Sequence, residues 1–353
     1  MIKFHEDAAV EKTRVQVFAG GVGALGFGAY LPEKILTNGD LEKIVDTTDE
    51  WIVQRTGISE RRIASDSETT AGMAVSAAKS ALADAGAEGG QVGLVIVATA
   101  TPDYFAPAAA SIVQHAIGAK NCAAFDLNAG CTGSVYGLVI AHSYIRSGAC
   151  DYALVIGAET LSRAIDWRDR KTCVLFGDGA GAVLLGRTPE GSGIISSMLM
   201  SDGGESDVIT IPAFSASDDD LGRRGGVKKQ TIWLDGSKVM KFASRAMSSA
   251  VTGVAAGAGL SVGDLALVVP HQANKRIIEN AAKRLELDEG KVFVNVGKYG
   301  NTSAASVLIA LCEARGEGRL RAGEYAALVA FGAGLTYGAV LVKWPEGDWR
   351  RHG

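Results

Sequence analysis

No stretch of this 353-residue chain approaches the roughly 20 consecutive apolar residues that cross a bilayer, so no transmembrane helix is expected. A basic excess is lacking too. The 35 Lys and Arg stand against 39 Asp and Glu, for a net charge of −4 and an isoelectric point near 5.8. Non-specific nucleic-acid binding needs a basic surface, so that class is excluded. The five cysteines, at 122, 131, 150, 173 and 312, are an odd number with no Cys-x-x-Cys and no Cys/His cluster. Neither a zinc site, nor any other metal, nor a disulfide framework is expected from them. Residues Met1 to Thr13 are charged and have no signal-peptide apolar run. These absences lead to the expectation of a reduced, cytoplasmic protein that does not engage a membrane.

What is present is apolar and rich in glycine. Hydrophobic residues make up 47%, mean hydropathy is +0.15, and 45 glycines are spread through apolar segments and not gathered into a linker. That combination fits a tightly packed α/β protein with sharp strand-to-helix turns, long enough for one large domain or two ordinary ones. Strands are expected at Val92–Ala98, Cys122–Leu127, Tyr152–Ile156, Ala180–Leu185, Leu265–Val269, Val292–Val296, Tyr325–Phe331 and Gly338–Val342. Helical periodicity marks Thr70–Ala85, Cys131–Ser147, Val239–Ala256, Lys275–Leu285 and Ala304–Ala314. Alternation of this kind favours parallel or mixed sheets covered by helices. Each half contains a strand, a turn of small residues and a helix, with Cys131 at the turn in one and Asn301 in the other. This hints at a duplication, with halves 1–190 and 191–353. Ser215 to Gln230, rich in Asp, Gly, Arg and Lys, reads as a solvated loop or a lid.

Three residues carry the chemistry. Cys131 lies among glycine and small residues in Asn128-Ala129-Gly130-Cys131-Thr132-Gly133-Ser134, ahead of a helix. A thiol there faces unpaired N–H groups and the positive end of the helix dipole, which are expected to lower its pKa and favour the thiolate. Taken alone, it is equally readable as a small buried hydrophobe. His271, in Pro270-His271-Gln272-Ala273-Asn274, follows a strand and opens a helix, where it is either a reactive group or a cap. Asn301, in Gly300-Asn301-Thr302-Ser303-Ala304-Ala305-Ser306, is either a catalytic amide or ordinary turn chemistry. Together, a cysteine, a histidine and an asparagine at three strand–helix junctions point to acyl transfer. The other histidines, at 5, 115, 142 and 352, lie at termini or on helical patterns.

The surroundings of these residues resemble β-ketoacyl-acyl carrier protein synthase III. Matching segments are Thr48-Asp49-Glu50-Trp51-Ile52-Val53-Gln54-Arg55-Thr56-Gly57-Ile58, Phe176-Gly177-Asp178-Gly179-Ala180-Gly181-Ala182, the His271 and Asn301 segments, and Phe331-Gly332-Ala333-Gly334, in family order from about Val22 to Lys343. The resemblance implies a thiolase-like α/β fold, with two similar halves in five layers (αβαβα), and a homodimer. It implies that Cys131 takes an acyl group from acyl-CoA, and that His271 and Asn301 stabilise the enolate left when malonyl-acyl carrier protein loses CO₂. The matching oxyanion donors are the backbone N–H groups of Cys131 and Ala333. Trp51 and Arg170 match residues that sandwich the CoA adenine, and Asn274 a contact to pantetheine. From the residues alone, Trp51 is as readily a core aromatic and Arg170 a surface charge. The stretch Gln272, Ala273, Asn274, Lys275 and Arg276, with Lys241, matches the region that meets the acidic carrier protein. Phe105 and Ala106 match an acyl-pocket wall that reaches across the dimer, with Ala106 where some relatives place a bulky aromatic. Acyl-CoA is thus a substrate, and no cofactor is implied.

Same-fold alternatives differ at particular residues. A polyketide-priming enzyme uses the same machinery. A thiolase wants a second cysteine near Phe331-Gly332-Ala333-Gly334, where there is none, and an HMG-CoA synthase wants a glutamate near the nucleophile, for which the sequence offers no clear candidate. A silent acyl-binding subunit is disfavoured by the intact Cys131, His271 and Asn301. The glycine-rich Gly20-Gly21-Val22-Gly23-Ala24-Leu25-Gly26 precedes or begins a strand and does not sit at a strand–helix turn, so a dinucleotide site is not expected there.

Overall fold

The computed structural model describes residues 14–223 and 228–346; the charged Met1–Thr13 stretch, His5 and His352 lie outside them, as do four residues of the 215–230 segment. Strands β1 (Gly20–Tyr30), β2 (Val92–Ala98), β3 (Ala123–Leu127), β4 (Tyr152–Glu159) and β5 (Gly179–Glu190) form the first half. They lie in the order β3-β2-β4-β5-β1, with β3, β2 and β4 parallel and β5 antiparallel to both neighbours. The second half has β6 (Gly193–Ser201), β7 (Leu265–Pro270), β8 (Tyr325–Gly332) and β9 (Thr336–Lys343) in the order β7-β8-β9-β6. Again β7 and β8 are parallel while β9 runs against β8 and β6. The member equivalent to β3 is the expected strand Val292–Val296. It survives only as one parallel bridge, Val268 to Val292, because the chain turns into a short helix at Val296–Tyr299. The two halves join where Val22 meets Gly193.

The helices complete the duplication. α2 (Thr70–Ala85) and α3 (Ala109–Ala116) cover the outer face of the first sheet, after a shorter α1 (Asp49–Thr56). α5 (Gly236–Gly257) and α6 (Lys275–Arg284) cover the outer face of the second. α4 (Gly133–Arg146) and α7 (Ser306–Gly316) lie between the sheets and touch both. Side-chain alternation explains the layers: in β2, Leu94 and Ile96 face the central helices while Val95 and Val97 face α2 and α3. Buried on both faces, such strands read as continuous apolar runs. Within the 215–230 segment the structure adds a short helix, Asp218–Arg223, which the solvated-loop reading did not contain. No helix among the described residues is long and apolar enough to cross a membrane.

Candidate active site

The duplication places α4 and α7 side by side in the middle layer, and their N-terminal approaches carry Cys131 and Asn301. Neither helix start is closed by a side-chain cap; the first N–H of each is taken by backbone, Gly133 N donating to Gly130 O and Ser306 N to Ser303 O. Gly157 and Gly133 make the close approach possible. A Cβ on Gly157 would fall 2.2 Å from Ala304 O, and one on Gly133 would fall 2.9 Å from Ala98 Cβ. The third wall is the end of β8. A Cβ on Gly332 would lie 2.6 Å from Cys131 N, so the Gly332-Ala333 backbone is pressed against the cysteine. Thr132 and Thr336 share a buried hydrogen bond of 2.9 Å that ties the two segments.

His271 extends β7 by one residue, its N–H donating to Val329 O at 2.7 Å. Its ring lies 5.2 Å from that of Phe331, directly before Gly332. Nδ1 is 2.6 Å from Ser306 Oγ at the head of α7. Burial pushes the imidazole down to about 3, so it is neutral near pH 7. The Asn301 Oδ1 accepts from Ser303 N–H at 2.8 Å, which leaves the Nδ2 end as the free donor. Ser303 adopts φ +47°, an uncommon left-handed conformation for a serine, at the turn that presents this amide. The structure therefore brings Cys131, Asn301, His271 and Ala333 to one place.

Four features differ from the sequence expectation. The thiol is not activated at rest: burial pushes Cys131 up to about 12, against a hydrogen bond with Ser303 that acts the other way. Second, a carboxylate does stand near the nucleophile. Glu159 ends β4 fully buried, and accepts from Thr101 Oγ1 at 2.5 Å, Thr99 Oγ1 at 3.2 Å and Ala100 N at 3.1 Å. Ser303 lies close enough to Glu159 and to Cys131 to favour the charged form of each, and burial raises the carboxyl. A lone acid closing an apolar strand was the available signal. Third, Gln272 and Ala273 are buried and cannot meet a carrier protein. The Gln272 amide donates to Pro270 O and Phe293 O and accepts from Asn295 N and Val296 N, so its bonding is spent on the fold. Fourth, the Arg170 guanidinium lies 5.2 Å from the centre of the Trp51 ring. An intervening base needs roughly 7 Å, two stacking distances of about 3.5 Å, so Arg170 must swing from its bond to Asp46 O to admit one.

The remaining expected residues are placed as follows. Trp51 is half-buried on α1, with Arg55 also near its ring at 5.9 Å. Asn274 caps α6 through Arg276 N and donates to Arg55 O at 3.1 Å. Lys275 and Arg276 are exposed on α6, and exposed Lys241 on α5 lines a groove of about 590 Å³ with Lys238, Arg245, Phe242 and Tyr337. Phe105 is 71% exposed and packs edge-on against exposed Phe214 at 5.1 Å. With exposed Ala106 it forms surface in the single chain, not a pocket wall. Sequence reasoning missed Ser303 and Ser306 as groups bonded to Cys131 and His271, because Asn-Thr-Ser reads as turn chemistry.

Comparison with known proteins gives the family. The family model for 3-oxoacyl-[acyl-carrier-protein] synthase III matches residues 125–203, and the model for its C-terminal part matches residues 255–344. The β-ketoacyl-[acyl-carrier-protein] synthase III of Caldanaerobacter subterraneus is 51% identical over 92% of this chain and 98% of its own. The crystal structure of the Aquifex aeolicus synthase III superposes with a TM-score of 0.85 at 46% identity, covering 92% of this chain and all of that one. The priming β-ketosynthase of the R1128 polyketide pathway superposes with a TM-score of 0.86 at 35% identity, covering 93% and 97%. This chain belongs to the β-ketoacyl-acyl carrier protein synthase III family of thiolase-like condensing enzymes.

Proposed function

We propose that the protein condenses an acyl-CoA primer with malonyl-acyl carrier protein, the step that starts fatty acid synthesis. The observation that carries this reading is the convergence of Cys131, His271 and Asn301 at the ends of the central helices. In the first stage Cys131 Sγ attacks the thioester carbon, the carbon–sulfur bond to CoA breaks, and CoA leaves as the thiol with the cysteine's proton. Burial raises the resting thiol, so its proton has to be given up within this stage. The N–H groups of Cys131 and Ala333 receive the oxyanion. In the second stage the malonyl carbon–carbon bond breaks and CO₂ leaves. The electron pair forms an enolate whose oxygen is held by His271 and the Asn301 amide. Its carbon attacks the acyl carbon, the bond to Cys131 Sγ breaks, and the departing thiolate takes a proton from solvent to restore the resting thiol. Two neutral donors suit this step, since neither titrates near neutral pH.

Trp51, Arg170 and Asn274 would hold CoA. The exposed cations Lys241, Lys275 and Arg276 would receive the acidic carrier protein. Phe105 and Ala106 would close the acyl pocket of a second subunit in a homodimer. The small Ala106 fits branched or longer primers as well as acetyl. Five free thiols fit a reducing cytoplasm. The Caldanaerobacter and Aquifex synthase III proteins are 51% and 46% identical to this chain, and the polyketide-priming enzyme is 35% identical. The test is intact-protein mass spectrometry after mixing with a panel of acyl-CoAs. A gain of one acyl mass that disappears in Cys131→Ala is the expected result. Absence of any gain across the panel would remove the CoA-primed mechanism.

A further inference from the structure

A histidine that must donate through one nitrogen needs something to decide which nitrogen carries the proton. His271 has such a neighbour. Ser306 is the first residue of α7, where a serine commonly caps the helix or bonds back along it. Here it does neither: the helix start has no side-chain cap, and the hydroxyl makes two contacts across to the β7 end. One is to His271 Nδ1 at 2.6 Å, the other from Gln272 N at 3.3 Å. Both partners are buried, with Ser306 and His271 each 1% exposed.

The roles of these atoms follow from their proton counts. The backbone N–H of Gln272 can only donate, so Ser306 Oγ accepts from it. The hydroxyl then has one proton of its own, and the acceptor beside it is Nδ1. If Nδ1 carried the proton, Oγ would face two donors and its own proton would have no acceptor in a dry site, an unfavourable arrangement. We infer that Ser306 is a positioning residue whose hydroxyl donates to His271 Nδ1 and thereby fixes the ring as the Nε2–H tautomer. The donor then lies at the opposite end of the ring, away from α7. Gln272 shares in this: its side chain is tied at four points, which holds the N–H that orients the Ser306 hydroxyl.

The inference rests on the reading of His271 as an enolate donor, and it predicts a split between the two stages. Ser306→Ala removes the group that selects the tautomer, so malonyl-carrier protein decarboxylation should fall by roughly ten- to a hundred-fold, less than the 10²–10³ typical when a donor is lost outright. Acylation of Cys131, which does not use His271 as a donor, should proceed at the wild-type rate. The direct readout is ¹⁵N NMR of histidine-labelled protein at pH 7, with the His271 signals assigned by their loss in His271→Gln. Wild type should show Nε2 as the protonated nitrogen and Ser306→Ala a mixture. A wild-type Nδ1–H ring overturns the inference even if the variant fails to fold. So does a Ser306→Ala protein that keeps a pure Nε2–H ring and full decarboxylation. Failure of the functional reading has a separate signature, the absence of acyl-Cys131 in wild type.

Discussion

At the scale of single residues, burial sets the protonation states of the core histidines. His142 sits on the inner face of α4 with its ring 4.1 Å from Phe18, and neither ring nitrogen has a hydrogen-bond partner. Burial first, and the Arg146 charge second, push it down to about 4. The sequence placed this residue on a helical pattern, and the structure explains how its burial is tolerated: it is carried neutral. The sign of the consequence is fixed. The unfolded chain takes up a proton below its ordinary value of about 6.5, while the folded chain does not until about 4. Stability present above pH 6.5 is therefore lost as pH falls toward 4. His142→Leu removes that dependence. Between pH 7.5 and pH 5 the variant should gain about 2 kcal/mol relative to wild type, measured by urea unfolding at both pH values. Identical pH profiles for the two proteins would show that the site is open to water or its ring partnered.

At the scale of elements, apolar runs and helical periodicity were readable wherever side chains make the contacts. Val92–Ala98 and Thr70–Ala85 were expected with the bounds the structure has, because their Leu, Ile, Val and Ala residues face the core. The strand that escaped notice, Gly193–Ser201, and the one read only at its glycine-rich start, Gly20–Tyr30, are those where backbone is the packing surface or where polar side chains are satisfied internally. Ser196 is buried and donates to Val254 O at 2.6 Å. In β1 a Cβ on Gly28 would fall 2.1 Å from Ala77 O, so the alanine face of α2 rests on bare strand backbone. A glycine-rich strand looks like a loop in sequence for that reason. Gly28→Ala should be destabilising by about 3 kcal/mol or prevent folding, since the obstacle is backbone and cannot rotate away. Gly90→Ala, with nothing within 4 Å of its Cβ position, should change stability by about 0.5 kcal/mol or less. Thermal unfolding of the pair decides it, and equal melting temperatures would mean that α2 can lift from the sheet without loss.

At the scale of the whole molecule, the duplication explains why the reactive residues come from distant segments. Cys131 and Asn301 occupy equivalent positions in the two halves, each before a central helix, so the fold's internal symmetry brings them together. That much was legible as two strand–turn–helix units. What the sequence could not show is which outer edges the assembled sheet leaves open. At one end, residues 292 and 293 lie along β7, with Phe293 N–H donating to Val268 O at 2.9 Å. At the other, β3 pairs only with β2 among the described residues, and Ala123 on it is exposed. An open, apolar strand edge is a liability unless another chain covers it. Exposed Tyr104 and Phe105, in the loop after β2, add apolar surface to the same half. A second copy pairing β3 to β3 would close the edge and continue the sheet through the dimer. Sedimentation equilibrium should then report twice the mass of one chain. Ala123→Lys places a charge on that edge and should shift the protein toward the single-chain mass without unfolding it. The variant should also lose primer discrimination while Cys131 remains acylatable. A wild-type protein that sediments as one chain, or a variant that stays dimeric with unchanged primer preference, would rule out β3 as the dimer seam.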